Sequence, residues 1–294
     1  MNLFQLTCAS LVAHAKGVLL NGTFTPTAEA KNLSSAPQFN ADSTPITVRF
    51  SNSTGVPMIP DNDPNADPRG LAVRFNLGGR KHTDIIGHST PFFPVRTGGE
   101  FLEFLKALIG SPAGTPSPSP IEQFLGSHPK ALAFVQAPKP PPSSFSREAY
   151  FGVTALKFVS AEGKSTYFRY RVVPDEGVDT LDEAAVKEKG PNYLFDEVAE
   201  RVKKGPFTFK LLAQLAEEGD VTDDATVHWP EDRKLVELGS MKVESIMENK
   251  DKEQKYIIMD PIPRVQGIEP SDDPLLELRA ALYLISGRQR RAAE

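Results

Sequence analysis

Arg279-Ala280-Ala281-Leu282-Tyr283 is the stretch around which the rest of this sequence can be organised. Asp272-Asp273-Pro274 precedes it with the composition of a helix start, and leucines then recur at helical spacing. The pattern predicts a helix that stops at Gly287. Arg279 and Tyr283 are four residues apart, so they would share one helical face, where the guanidinium can reach the phenol.

A cation beside a phenol favours its ionised form, and a tyrosinate is a hard anionic ligand for ferric iron. A tyrosine axial ligand is one of the few ways in which proteins hold haem. The alternative for an isolated pair of this kind is a buried aromatic ring with a solvated arginine nearby. The rest of the chain has to decide between the two interpretations.

The composition of the 294 residues is typical of a water-soluble globular protein, with 39% hydrophobic and 24% charged residues. The 33 basic and 38 acidic residues give a net charge of -5, which excludes the basic footprint of a nucleic-acid-binding protein. No apolar run reaches the roughly 18 residues of a membrane span.

Cys8 is the single cysteine, which excludes an intrachain disulfide framework and a thiolate metal cluster. We therefore expect a cytoplasmic location, with a peroxisomal or exported location as the alternatives. The apolar start, Met1 to Val12, has no basic n-region, so we interpret it as part of the folded protein, with a signal peptide as the alternative.

Alternating apolar and polar residues predict strands at Ile46–Ser51 and Gly70–Phe75, and a hairpin formed by 153–159 and 165–173. The alternation places Arg49 and Ser51 on one face of the first strand. If that face is buried, Arg49 needs an anion, and a buried carboxylate partner is predicted.

The remaining segments are assigned in the same way. Helices are predicted at 101–108, starting near Thr97, and at about 121–135, 181–204 and 209–217. Further strands are predicted at 229–239 and 245–259, and the charged run 248–255 within the latter is interpreted as a solvated turn. His82 and His88 are six residues apart, which suits one metal ion poorly, and no acidic or thiol cluster completes a zinc site.

Four motifs occur in a fixed order. They are His14-Ala15-Lys16-Gly17, Val48-Arg49-Phe50-Ser51, Asp67 to Phe75, and Gly267 to Ser271 followed by Arg279-x-x-x-Tyr283. This series resembles the haem catalase family, and the length of the chain is similar to that of the minimal catalase-related peroxidases. The resemblance runs from about residue 14 to residue 290.

The resemblance implies an α+β fold, in which an antiparallel eight-stranded β-barrel is surrounded by helices. It implies a single haem-binding domain over residues 1–294, without the C-terminal helical or flavodoxin-like domain of larger relatives. The implied cofactor is haem b.

Site residues follow from the same resemblance. Tyr283 would be the axial ligand of the iron, Arg279 would keep it anionic, His14 would be the distal proton shuttle, and Ser51 would orient His14. Arg49 and Arg290 would bind the haem propionates, with Arg288 as the alternative to Arg290. Phe93 and Phe101 would line the haem pocket.

Two positions depart from the family pattern. His88 stands where the larger catalases carry a distal asparagine, so the second contact to peroxide would come from an imidazole N–H, and true catalase turnover would fall relative to peroxidase chemistry. Leu11 stands where the family has a propionate-binding arginine, so one anchor would be missing and haem would be held less firmly.

The function implied is reduction of hydrogen peroxide, or of a small organic hydroperoxide, through a high-valent oxo-iron intermediate, in the response to oxidative stress. A second peroxide or a small-molecule electron donor would return the enzyme to rest, and a homodimer is left open. The alternatives are a haem enzyme that isomerises or cleaves fatty-acid hydroperoxides, and a haem-binding protein without enzymatic activity.

Overall fold

A computed structural model describes residues 14–292 of the chain. Cys8 and Leu11, on which two of the interpretations above depend, lie outside these residues. The described part contains ten strands: β1 Gly17–Pro26, β2 Thr44–Ser51, β3 Gly70–Asn76, β4 His82–His88, β5 Tyr150–Phe151, β6 Leu156–Val159, β7 Ser165–Pro174, β8 Phe207–Leu215, β9 Leu235–Ile246 and β10 Ile268–Pro270.

Eight of these strands close into a barrel. Each of the strands β1, β2, β3, β4, β5, β7, β8 and β9 pairs antiparallel with the next, and β9 pairs with β1 to complete the circle. β6 and β10 extend the sheet from the outer edge of β7. The predicted eight-stranded antiparallel barrel with surrounding helices is therefore confirmed.

The interior of the barrel is filled by side chains, as expected for a barrel of this size. Large aromatic rings dominate, and the fully buried ones on the barrel strands include Phe24, Phe50, Phe75 and Phe168. Phe24 and Phe75 meet edge to face with ring centroids 5.1 Å apart. The alternation along β2 sends Val48 and Phe50 into this core and leaves Arg49 and Ser51 on the opposite face, as predicted.

Nine α-helices surround the barrel within residues 14–292: α1 Ala28–Leu33, α2 Pro37–Asn40, α3 Gly98–Ile109, α4 Pro120–Ser127, α5 Pro129–Gln136, α6 Glu183–Lys187, α7 Tyr193–Lys204, α8 Lys250–Tyr256 and α9 Pro274–Ala292. None of the helices in this range has the length and apolar character needed to cross a bilayer. Thr97 and Glu100 form a capping box at the start of α3, which confirms the helix predicted there.

Three predicted helices differ from the structure. The segment predicted as a helix at 209–217 lies mostly in β8, because Phe209, Leu211 and Ala213 alternate into the core and both neighbouring strands pair with it. The helix predicted at about 121–135 is divided at Pro129 into α4 and α5. The segment 181–204 is divided into α6 and α7.

Four assignments in the last quarter of the chain are also wrong. The strand predicted at 229–239 begins only at Leu235, and the strand predicted at 245–259 ends at Ile246. The charged run 248–255 lies mostly in α8, where it contributes to the site described below, and is not a solvated turn. Gly287 does not stop α9, because its missing side chain makes room for Ile258: a Cβ there would lie 2.3 Å from the Ile258 Cδ1 atom.

Candidate active site

The ends of three adjacent strands bring three of the residues of interest side by side. Ser51 at the end of β2 pairs with Gly70 at the start of β3, and Gly70 pairs with His88 at the end of β4. This register sets Ser51 and His88 on either side of a glycine. Ser51 and His88 therefore flank Gly70, whose side chain is a single hydrogen atom.

His14 lies over this part of the wall. Its Nδ1 atom is 3.1 Å from the Ser51 Oγ atom, and its backbone N–H donates to the Ser53 carbonyl oxygen at 3.0 Å. The backbone of His14 is in the left-handed region, with φ of +58°, which is uncommon for a residue with a side chain. Strained backbone of this kind persists where the surroundings over-determine it, which is common at functional sites.

Gly70 is required by this arrangement. A Cβ atom at position 70 would lie 2.5 Å from the Ser51 Oγ atom and 2.6 Å from the His14 Nδ1 atom. Distances this short force one of the two side chains to move. The glycine of the third motif therefore leaves room for the contact between His14 and Ser51.

We expect the Gly70→Ala substitution to destabilise the folded chain by about 1–3 kcal/mol through overpacking. It should also separate His14 from Ser51. Urea unfolding measures the first effect. Gly126→Ala is the matched control, because Gly126 lies in α4 with no heavy atom within 4 Å of the added carbon. Equal stability of the two variants would contradict the steric account.

His88 is held from one side only. Its Nδ1 atom lies 3.2 Å from the Thr90 backbone nitrogen and 2.6 Å from the Thr90 Oγ1 atom. Its Nε2 atom is buried and has no hydrogen-bond partner among residues 14–292. A buried polar atom without a partner is uncommon and points to a group that is not part of the protein.

Both imidazoles are neutral at physiological pH. Burial, followed by the charges of Arg49 and Arg279, lowers the pKa of His14 to about 4. Burial, followed by His14 and Arg279, lowers the pKa of His88 to about 3. Arg279 acts on both pKa values, so its guanidinium lies within electrostatic reach of both histidines.

Apolar side chains adjoin His88. The Phe93 ring centroid lies 6.1 Å from that of His88 and 5.4 Å from that of Phe101. Both phenylalanines pack against the buried cluster of Val95 and Phe104 under α3. Phe93 thus lies next to His88, and Phe101 lies next to Phe93.

Helix α9 carries Arg279 and Tyr283. The Arg279 Nε atom donates a hydrogen bond to the Tyr283 Oη atom over 3.2 Å. The pair spans one helical turn, as their spacing predicted, and Tyr283 is half-buried. The charge of Arg279 also lowers the pKa of both histidines, so Arg279 lies near them as well as near Tyr283.

Two further arginines are buried at the edge of this site. Arg49, 7% exposed, donates from Nη2 to the His14 carbonyl oxygen at 2.8 Å and from Nε to the Gln254 Oε1 atom at 3.1 Å. Arg290, 4% exposed, donates to the carbonyl oxygens of Gln254 and Ile257. Gln254 of α8 therefore accepts hydrogen bonds from both arginines, from Arg49 through its side chain and from Arg290 through its backbone.

The partners of this arginine pair among the described side chains and backbone are carbonyl and amide oxygens, and none of them is the carboxylate predicted for Arg49. The Arg290 Nε atom has no partner among residues 14–292. Burial and the nearby Arg290 lower the pKa of Arg49 to about 9. Arg288 is exposed, so Arg290 is the arginine that α9 directs inward.

A buried polar network supports the wall behind Ser51. The Asp61 carboxylate accepts from Lys16 Nζ at 2.7 Å and from Asn52 Nδ2 at 2.9 Å. Arg69 then donates from Nη1 to the Asn52 Oδ1 atom at 2.7 Å. Because Asn52 follows Ser51 and Arg69 precedes Gly70, the network fixes the strand ends that carry the site.

Two contributors were not singled out by the sequence. Gln254 was assigned to a solvated turn, and only the folding of α8 brings it to Arg49. Thr90 follows His88 by two residues, and residues of this type often bond to nearby polar groups, a signal that could have identified it.

Comparison with known proteins identifies the family of the chain. The sequence profile of the family described as Catalase matches residues 8–294. The chain is 32% identical to a catalase-related peroxidase of Synechococcus elongatus over 280 residues, which cover 94% of this chain and 82% of the relative. It is also 32% identical to a catalase-related peroxidase of Mycolicibacterium paratuberculosis, with coverage of 97% and 90%.

Solved structures show the same fold at lower identity. A fungal catalase superimposes with a TM-score of 0.86 at 22% identity, and catalase A from Saccharomyces cerevisiae with 0.85 at 20%. These alignments cover 97% and 96% of this chain, which spans 60% and 61% of the two solved chains. The profile match over nearly the whole length and the two relatives above 30% identity show that this chain belongs to the catalase family.

Proposed function

We propose that this protein is a haem-dependent enzyme that reduces hydrogen peroxide or a small organic hydroperoxide. The observation that carries the proposal is that Arg279 interacts with Tyr283 and with both histidines. It donates to Tyr283 and lies within electrostatic reach of His14 and His88. The names of the catalase-related peroxidases among its relatives support the same class of reaction.

The residues present fit haem. Its two propionates would supply the anions that Arg49 and Arg290 lack among the described residues, and charge-assisted bonds to buried arginines are among the strongest that proteins make. Phe93 and Phe101 offer apolar contacts suited to a porphyrin. Tyr283, with a guanidinium bonded to its oxygen, is suited to hold the iron.

When bound, haem supplies an iron centre that exchanges electrons with the peroxide. His14 is neutral at physiological pH, so its ring can accept a proton from a hydroperoxide oxygen and return it to the departing oxygen. The Ser51 Oγ atom holds the His14 Nδ1 atom, which leaves Nε2 for that proton. The Nε2 atom of His88, which has no partner among the described residues, is available to contact the other oxygen of the hydroperoxide.

The first test is an absorption spectrum of the purified protein before and after peroxide is added. A spectrum of ferric tyrosinate-ligated haem that changes with peroxide would support the proposal, whereas a protein that cannot be loaded with haem would overturn it.

Rates with hydrogen peroxide, a short organic hydroperoxide and a fatty-acid hydroperoxide then identify the substrate. Preference for the last, with rearranged lipid products, would assign isomerase or lyase activity. Haem binding without any turnover would assign a binding protein.

Arg290→Gln is expected to weaken haem binding about tenfold or more, since a hydrogen bond to a charged group contributes about 1.5–3 kcal/mol. Arg288→Gln is the matched control, because Arg288 is exposed and only two residues away on the same helix. Arg290→Lys, which keeps the charge, should retain part of the affinity. The measurement is the rate at which haem passes to an excess of a haem scavenger.

Thermal unfolding of the haem-free variants separates packing from binding, because Arg290 also bonds to the backbone of α8. Equal haem loss from the Arg290→Gln and Arg288→Gln proteins would exclude Arg290 as a propionate ligand.

A further inference from the structure

We propose that Thr90 fixes His88 in one neutral tautomer, with the proton on Nε2, so that His88 presents a permanent hydrogen-bond donor to the site. Thr90 is then a positioning residue that acts through His88. The role of that donor toward a hydroperoxide rests on the proposed function, whereas the tautomer itself does not.

The tautomer follows from the contacts of the Nδ1 atom. The Thr90 backbone N–H, with its nitrogen 3.2 Å from Nδ1, can only donate a hydrogen bond. Nδ1 must therefore offer a lone pair. The Thr90 hydroxyl, 2.6 Å away, can donate or accept, and with Nδ1 already an acceptor it donates as well.

A neutral imidazole carries one N–H, so the proton of His88 lies on Nε2. Burial and the cations Arg279 and Lys139 oppose the doubly protonated form. Lys139 is itself held by three backbone carbonyl oxygens at the end of α5, those of Phe134, Val135 and Ala137. These two cations therefore favour a neutral ring.

The Nε2–H group has no acceptor in the part of the chain that the structure describes, although the atom is buried. Leaving such a donor unpaired costs free energy, and an acceptor oxygen on a bound molecule would recover it. The unpaired donor therefore selects for a ligand that places an oxygen lone pair next to His88.

His14 is not restricted in the same way. Its Nδ1 atom contacts the Ser51 hydroxyl, which can donate or accept, so His14 can keep its proton on Nδ1 and leave Nε2 as an acceptor. The site then offers one acceptor and one donor. A hydroperoxide matches both, because its O–H can donate to His14 while its other oxygen accepts from His88.

The test is ¹⁵N NMR of the full-length chain labelled at histidine, recorded without porphyrin and again after loading with zinc protoporphyrin, which is diamagnetic. Two-bond correlations show which ring nitrogen carries the proton, and the His88→Asn variant identifies the His88 signals. We expect the Nε2–H tautomer of His88 at pH 7 in both samples.

Three variants separate positioning from packing. Thr90→Ser should preserve the Nδ1 chemical shift of His88, whereas Thr90→Val, which removes the hydroxyl, should move it towards the value of an imidazole nitrogen without a hydrogen bond. Thr83→Val is the matched control, because Thr83 is a buried threonine on β4 that pairs with Phe75. It should leave the His88 signals unchanged.

A proton on Nδ1, a doubly protonated His88 at pH 7, or the same Nδ1 shift in Thr90→Val as in the parent chain would overturn the inference. Failure of the chain to bind any porphyrin would overturn the proposed function instead. The spectra of the porphyrin-free chain would still report the tautomer in that case.

Discussion

Tyr283→Phe is expected to abolish stable haem binding and to leave the barrel folded. The substitution removes one oxygen atom, which is the atom proposed to bind the iron and the acceptor of the Arg279 hydrogen bond. The ring and its packing on α9 are retained, so the free energy of unfolding of the haem-free chain should change by less than about 1 kcal/mol.

The measurement is the haem absorbance that remains with the protein after gel filtration, at equal protein concentration. Tyr167→Phe is the matched control, because Tyr167 is also half-buried and lies on a different element, β7. Tyr283→His restores a ligand of a different kind and should recover part of the occupancy. Normal haem occupancy in Tyr283→Phe would rule out Tyr283 as the axial ligand.

His14→Gln is expected to leave haem in place and to slow peroxide reduction by about 10²–10⁴-fold, the usual contribution of a positioned acid–base group. Glutamine has a similar length and can still reach Ser51, but it cannot accept and return a proton near neutral pH. Initial rates at saturating peroxide, divided by haem content, give the comparison. His228→Gln is the control, because His228 is exposed and bonds only to Glu231 among the described residues. Equal rates for the two variants would exclude proton transfer by His14.

The rate of peroxide reduction by the parent enzyme should depend on pH through the protonation of His14. Since the pKa of His14 is lowered to about 4, the ring is a competent base above that pH, and the rate should fall as the pH drops through the pKa. Propionates beside Arg49 would offset one of the two charges that lower this pKa, so the fall in the loaded enzyme should lie between pH 4 and the ordinary value of about 6.5. The fall should be missing from the residual activity of His14→Gln.

The lowered pKa of His14 also makes the stability of the folded chain depend on pH. Between pH 4 and pH 6.5 the unfolded chain binds more protons at His14 than the folded chain does. This contribution to stability is therefore present above about pH 6.5 and is lost as the pH falls towards 4.

The parts of the fold that the sequence predicted best are those with local causes. The four-residue spacing of Arg279 and Tyr283 dictates their contact once a helix forms, and alternation along β2 dictates that Arg49 and Ser51 share a face. The order of the motifs then implied the barrel, which no local pattern would have shown. The site residues stay predictions until haem is seen to bind.

What could not be predicted depends on distant partners. The segment 209–215 contains good helix formers such as Lys210 and Leu212, but pairing on both sides makes it a strand. Gly287 has the composition of a helix stop, and only the position of Ile258 explains why it lies inside a helix. Gln254 acquires its role from the packing of α8 beneath Arg49.

The shortness of β5 has a consequence for local opening of the barrel. Seven residue pairs join β3 to β4, whereas the single pair His88 and Phe151 joins β4 to β5. Local opening takes place where few hydrogen bonds must break, at free energies below that of global unfolding. We therefore expect the barrel to open most readily between β4 and β5, beside His88. The amide protons there should exchange with solvent before those on the opposite side of the barrel.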